Sequence, residues 1–544
     1  MNEVKLMSGN EAAARGAIEA GVSLVASYPG EPVSPVIDYI LKDAKKHGIY
    51  VEWSINEKVA YEQALGASFL GLRALAVVKH VGFNWILDPF AGSAFSGIDG
   101  GLVVIVGDDP GGKCSTSEED TRYLAELAEV PLLEPSTPQE VKDMVIYAFD
   151  LSEEVGLPVV VRLVTRLCNQ RAPVKMGPIK PKRKPKQRIG RRVVAEALYN
   201  LHEELGKKNL RLMEVAEKTP FNFIEEQVGS ELGIITCNYA AQIVKDLPED
   251  IRKRLGILRM GMTRPAPEKL IRKFASRFNK ILVVEEVQPF LERKVREALR
   301  GMNVEIYGKL TGHIPWAGEL KLEDLLNAIQ SILDIEAKPS RIEKKSPQGR
   351  ITESEAAIQP CTEDFHPRCP HRISLQALRS ALRKVGGGVV TGDVGCMSLD
   401  FRSEEPILES MIAMGSSIGV ACGVKLANPT LNVVAVIGDS SFYHNGLQGL
   451  LNAFYHRIPI VVLVLDNMIT AQTGFQPDPG SGVTAMGEKA SKIPLESLLS
   501  FMGDKVRIVN AFDFQEVEEA LIEALKSGEC RVVISRGGCP LIER

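Results

Sequence analysis

Short apolar runs ending in Gly, Asp, Asn or Pro recur along the chain and alternate with longer amphipathic stretches. Residues 22–27, 75–78, 102–106 and 158–164 read as buried strands, and 51–53 as a short one. Helical spacing starts at Val33 and again at Asn56. The same alternation returns at 233–236 and 281–286, and at 433–437 and 460–465. Strands apolar on both faces, separated by helices, predict parallel sheets covered on both sides. The fold class is therefore α/β, with three doubly wound domains. Proline-rich, basic residues 172–190 and polar residues 336–365 read as linkers. They divide the chain into domains at 1–171, 191–335 and 366–544.

Length and composition change this picture little. The 544 residues suit about three cores. A net charge of −4 gives no sign of nucleic-acid binding, and the Pro-broken basic run 182–186 reads as a solvated linker. The N-terminus carries no apolar core of signal-peptide length, and no run reaches membrane-spanning length. Nine cysteines are scattered without a C-x-x-C pair, which indicates neither a disulfide framework nor a zinc site. A soluble, cytoplasmic protein is expected.

The chemistry concentrates in 433–473. An apolar strand ends in Gly438-Asp439-Ser440. A segment with Leu447, Leu450, Leu451 and Phe454 at helical spacing follows, and a second strand ends in Asp466-Asn467. Open α/β sheets bind ligands at the carboxyl ends of their strands. There the Asp439 carboxylate and the Asn467 amide oxygen can converge on a hard divalent ion such as Mg²⁺. The plainer reading is two polar turns in an ordinary βαβ unit.

That spacing resembles the diphosphate signature of thiamine diphosphate enzymes. The resemblance implies that Mg²⁺ is held by Asp439, Asn467 and the carbonyl of Ile469, with Gly438, Ser440 and Thr470 against the diphosphate. It also implies an activating glutamate at a helix start, which hydrogen-bonds the cofactor's pyrimidine. Glu57 fits that place; Glu62, one turn on, is the rival. Without the cofactor, Glu57 is a first-turn acid favoured by the helix dipole.

Several further segments resemble the α subunit of indolepyruvate:ferredoxin oxidoreductase, a 2-oxoacid:acceptor oxidoreductase. They include Ala26-Ser27-Tyr28-Pro29-Gly30, Asn56-Glu57-Lys58-Val59-Ala60, Val78-Lys79-His80-Val81-Gly82-Phe83-Asn84 and Asp108-Asp109-Pro110-Gly111. Cys369-Pro370-His371-Arg372 and Gly392-Asp393-Val394-Gly395-Cys396 continue the match. It implies pyrimidine-binding, transketolase-C-like and diphosphate-binding domains, in that order. Gly392, Asp393, Gly395, Cys396, Cys369 and His371 would line the cofactor. His80 and Arg122 would be substrate contacts or structural hydrogen-bonding groups. The implied reaction decarboxylates an aryl or other 2-oxoacid, oxidises the resulting enamine through iron–sulfur carriers and transfers the acyl group to coenzyme A. A homodimer, a small γ-type subunit and a ferredoxin are the implied partners.

Three departures stand out. No four-cysteine run supplies iron–sulfur ligands, so no iron–sulfur cluster is expected on this chain. The family's Tyr-Pro-Gly-Thr-Pro becomes Tyr28-Pro29-Gly30-Glu31-Pro32, which puts a carboxyl where a hydroxyl would meet the substrate's carboxylate. Cys-Pro-Gly-Cys-Pro-His-Arg becomes His366-Pro367-Arg368-Cys369-Pro370-His371-Arg372, with Arg368 facing either an anion or solvent. These departures leave room for a non-oxidative decarboxylase or carboligase. A binding protein that has lost its chemistry would have no need of Glu57, Asp439 and Asn467 together.

Overall fold

The computed structural model describes residues 3–54, 56–186, 198–225, 230–335, 364–409, 414–415, 417–418, 421–422, 425, 430–455 and 457–542. The chain divides into two compact units, Met1–Lys344 and Lys345–Arg544. Residues 187–190 and 336–363 of the expected linkers lie outside the described residues.

The first unit holds two large sheets. Its strands are β1 (Val4–Met7), β2 (Leu24–Ser27), β3 (Tyr50–Trp53), β4 (Ala74–Lys79), β5 (Leu102–Asp108), β6 (Leu132–Leu133), β7 (Val159–Val164) and β8 (Ala172–Lys175). Further along are β9 (Asn222–Glu225), β10 (Leu232–Cys237), β11 (Leu255–Met260), β12 (Met262–Arg264), β13 (Lys280–Val284) and β14 (Glu305–Tyr307). The seven-stranded sheet runs β12-β6-β7-β5-β4-β2-β3, and the five-stranded sheet runs β14-β13-β10-β11-β9. Their central strands pair in parallel, as continuous apolar runs require. Every residue of β5 and β7 is buried.

Two features depart from a simple chain of separate domains. β12 comes from the second expected domain yet pairs antiparallel with β6, so it edges the first sheet. The stretch read as a linker is docked in its described part. β8 pairs with β1, Lys180 bridges Asp150 at 2.7 Å and Arg183 bridges Glu153 at 2.5 Å.

The second unit carries β15 (Val389–Thr391), β16 (Val433–Gly438), β17 (Val461–Asp466), β18 (Val506–Asn510) and β19 (Arg531–Arg536). They form one parallel sheet, in the order β15-β16-β17-β19-β18. Apolar clusters lie on both of its faces, one around Leu378, Val436 and Leu521 and the other around Ile437, Leu450 and Ile534. The helix Leu447–Tyr455 buries Leu450 and Ala453 but leaves Leu451 46% exposed, so its apolar face is narrower than the spacing suggested.

Candidate active site

In the second unit, the loops after β15, β16 and β17 are tied together at the carboxyl edge of the sheet. The Ser441 hydroxyl donates to the Val394 carbonyl at 2.7 Å, and the Gln472 amide donates to Ser398 at 3.2 Å. β16 ends at Gly438 and turns directly into a helical segment, whose π turn Phe442–Gly446 carries Gly446 against Ile437. Asp439 is thereby aimed back along the sheet edge, 3% exposed. One of its oxygens accepts from the backbone of Ser440 at 2.7 Å; the other accepts from the backbones of Asn467 at 3.1 Å and Met468 at 2.6 Å.

Asn467 supplies the informative detail. Its buried side-chain oxygen stands 3.2 Å from Oδ2 of Asp439 and 2.7 Å from the carbonyl of Ile469. Three oxygens that face one another repel unless the amide turns its nitrogen inward or a cation sits among them. Burial, with Asp478 and Asp466 nearby, pushes the Asp439 carboxyl well above the usual carboxylate range. With its nitrogen inward Asn467 donates to Asp439 and Ile469; with its oxygen inward it completes an all-oxygen set with one carboxylate, which suits Mg²⁺. Among the described residues, no three His, Cys, Asp or Glu side chains group closely enough to hold a metal by themselves, so this set depends on its amide and carbonyl oxygens.

The remaining expected residues of this unit divide. Ser440 and Thr470 are joined hydroxyl to hydroxyl at 2.9 Å beside Asp439. Gly395 sits at φ 147° with Met397 close to where a Cβ would stand. Asp393 was expected at the cofactor, but its side chain is spent elsewhere. It is fully enclosed and accepts from the backbones of Val394, Gly415 and Ser417, so it pins a loop instead. Gly392 is buried just after β15.

Cys369, His371, Cys396 and Asn467 line one cleft, together with His366 and Cys539. His371 is 4% exposed with neither ring nitrogen partnered, and burial holds its imidazole down at about 4. It therefore stands neutral at pH 7, with one N–H to offer. The nine cysteines look scattered in sequence, yet three of them share this wall.

In the first unit, Glu57 opens the helix Glu57–Phe69 and is 6% exposed. Its carboxyl lies against Gly82: a Cβ at Gly82 would come within 2.6 Å of it. The sequence showed no reason for Gly82, and this contact supplies one. Glu62 falls where the side chain is not described. Glu31 is half-buried after β2; burial first, then Asp38 and Asp109 against the pull of Lys79, raises its carboxyl to about 7. Glu31 is thus turned partly inward, where burial favours its protonated form. His80 is fully enclosed, with Nε2 3.1 Å from the carbonyl of Ser117 and Nδ1 unpartnered.

Of the two roles left open for Arg122, substrate contact or structural hydrogen-bonding group, the structure favours the second: it is fully buried and its guanidinium is already engaged. It makes a two-point pair with Asp120 and bonds Glu285 at 2.7 Å and the carbonyls of Glu286 and Gln288. Arg162 similarly joins Asp108 at 2.6 Å and Glu134 at 2.7 Å. Arg122 thus ties the β5–β6 connection to the turn after β13, and Arg162 braces neighbouring strands within the seven-stranded sheet.

Comparison with known families agrees with this geometry. Residues 393–535 match the thiamine pyrophosphate enzyme C-terminal TPP-binding domain, and residues 15–195 match the thiamine diphosphate-binding domain of pyruvate flavodoxin/ferredoxin oxidoreductases. Fold and site thus define a thiamine diphosphate-dependent enzyme of the 2-oxoacid oxidoreductase class. Indolepyruvate oxidoreductase subunit IorA of Pyrococcus horikoshii is 36% identical over 565 residues, taking in 99% of this chain and 86% of the relative. The IorA of Methanothermobacter marburgensis is 37% identical over 550 residues, 98% of this chain and 87% of its own length. The chain belongs to the IorA family. A solved 2-oxoglutarate:ferredoxin oxidoreductase from Magnetococcus marinus shares the fold, with a TM-score of 0.52 at 17% identity over 62% of this chain and 66% of its own. Among the described residues no helix is long and apolar enough to cross a membrane.

Proposed function

We propose that this chain is the catalytic α-type subunit of an oxidoreductase that decarboxylates an aryl or other 2-oxoacid with thiamine diphosphate and Mg²⁺. The observation that carries the metal assignment is the buried oxygen triangle of Asp439, Asn467 and Ile469. In this reading those atoms hold Mg²⁺, and Ser440 and Thr470 receive the diphosphate. Gly395, Cys369, Cys396 and His371 belong to the same cofactor wall. When bound, the cofactor supplies a carbanion at its thiazolium ring that adds to the substrate's ketone.

The protein's part is positional. Glu57, fixed against Gly82, holds the pyrimidine in the tautomer that takes the ring proton. His80 and Glu31 sit at the carboxyl ends of β4 and β2, where open parallel sheets present their ligand-binding groups. We assign both to the substrate. The acyl group passes to coenzyme A and the electrons to an iron–sulfur carrier on a γ-type subunit or ferredoxin. The working unit is a cytoplasmic homodimer with such a partner.

One observation favours a second reading. A carboxyl near 7, as at Glu31, suits proton delivery at neutral pH. That would make the enzyme a non-oxidative decarboxylase or carboligase. Purified chain with thiamine diphosphate, Mg²⁺ and a panel of aryl and branched 2-oxoacids, followed for CO₂, aldehyde and dye reduction, separates the two. Dye reduction establishes the oxidoreductase. Aldehyde or acyloin without dye reduction establishes the second reading, and silence with a partner subunit added refutes both.

A further inference from the structure

Next to the cation site stands a carboxylate that neither the sequence pattern nor the donor triangle accounts for. Asp478 lies in the loop after Thr470, half-buried. One of its oxygens accepts from the Ser440 hydroxyl at 3.0 Å and the other from the Gly480 backbone at 2.9 Å. The same Ser440 hydroxyl meets Thr470 at 2.9 Å and reaches Oδ1 of Asp439 at 3.4 Å. With its single proton given to Asp478, the Ser440 hydroxyl stands between that carboxylate and Asp439.

The contrast with the third acid of this corner is informative. Asp466 is paired with Arg536 at 2.7 Å, and Arg536 is held in turn by Glu496 at 2.6 Å. Asp478 is held by a hydroxyl and by backbone amides, with no such cation among those bonds. Its proximity raises the Asp439 carboxyl, and burial raises its own. The buried Asn467 amide beside them can complete the set, turning its oxygen toward a cation bound by Asp439 and the Ile469 carbonyl.

Resting on the thiamine diphosphate–Mg²⁺ reading, we propose that Asp478 is a positioning residue of the cation site, acting through Ser440 on Asp439. Its negative charge strengthens Mg²⁺ binding and makes cofactor uptake depend on the metal. A merely structural acid would affect folding or cofactor affinity at all metal concentrations. A residue acting on the cation shifts the metal dependence itself.

The test is calorimetric titration of thiamine diphosphate into the full chain across a Mg²⁺ series, with Asp478→Asn, Asp478→Glu and Ser440→Ala beside the parent. Thermal unfolding without ligand controls for folding. Asp478→Asn should raise the half-saturating Mg²⁺ by roughly 10- to 100-fold, the cost of losing an outer-shell partner. At saturating Mg²⁺ its cofactor affinity should return toward that of the parent. Asp478→Glu should recover part of the loss, and Ser440→Ala should reproduce part of it. Mg²⁺-dependent uptake by the parent with an unshifted Asp478→Asn overturns this inference alone. A folded parent that takes up no cofactor, or takes it up without Mg²⁺, overturns the reading beneath it as well.

Discussion

The two units handle buried charge in opposite ways. In the first, Arg122 lies enclosed between Asp120 and Glu285 and Arg162 between Asp108 and Glu134, so every one of these buried acids has a cation against it. In the second, Asp439 and Asp478 lie close together, held by backbone amides and the Ser440 hydroxyl. Both are polar interiors, yet only the second is open to a ligand's charge. Buried acids that each have a cation against them hold the fold; acids held only by neutral donors are open to a bound cation. Arg122, open in sequence to a substrate or a structural role, takes the structural one in this cluster.

The contrast can be broken experimentally. Its largest expected effect is at Asp439→Asn. That change should weaken Mg²⁺-dependent thiamine diphosphate binding by more than about 100-fold, beyond the usual cost of an outer-shell change. The unliganded protein should be no less stable, because like charges are relieved. A strong loss of unliganded stability in urea would show that Asp439 is internally compensated after all.

Glu57→Gln should leave cofactor uptake intact and slow deuterium exchange at the thiazolium carbon by roughly 10²–10⁴-fold. Unchanged exchange, read by proton NMR, removes Glu57 from its role.

Arg122→Ala should do the reverse of Asp439→Asn. It strands Asp120 and Glu285, and breaking a buried pair costs about 3–5 kcal/mol. Chemical unfolding of the unliganded chain measures it. A loss below about 1 kcal/mol would mean that surface-like pairs, not buried ones, describe this cluster.

The smallest effect concerns Glu31, an incompletely neutralised acid in the otherwise compensated unit. Its carboxyl is raised from 4.5 to about 7, so the folded chain holds a proton that the unfolded chain releases. Stability from this group is therefore full below pH 4.5 and is lost as pH rises to about 7. Discounted for partial exposure, the change is about 1–2 kcal/mol. Glu31→Gln should flatten that part of the stability curve. Parallel curves for the two proteins would show that Glu31 is solvated.

Much of the scaffold was legible beforehand because its strands are continuous apolar runs. The stretches at 102–106 and 433–437 reappear as β5 and β16, extended by two residues and by one. The short edges β6 and β12 were not legible: a two- or three-residue strand carries no period, and β12 joins a sheet whose other strands lie far back in the chain. Asp439, Asn467 and Glu57 could be named because each closes a strand or opens a helix within a recognisable spacing. Asp478 and Gly82 could not, since each matters only for a neighbour brought in by folding: Ser440 for the first, Glu57 for the second.

Local order along the chain was enough to determine a layered α/β protein, its thiamine diphosphate family and the strand ends where chemistry gathers. Hydrophobic period and turn residues are properties of consecutive positions and need no partner. Tertiary structure alone decided which acids are neutralised, which cysteines share a wall and which arginine is a strut. Those are properties of distance between remote segments, and electrostatic energy depends on distance and burial, not on residue type.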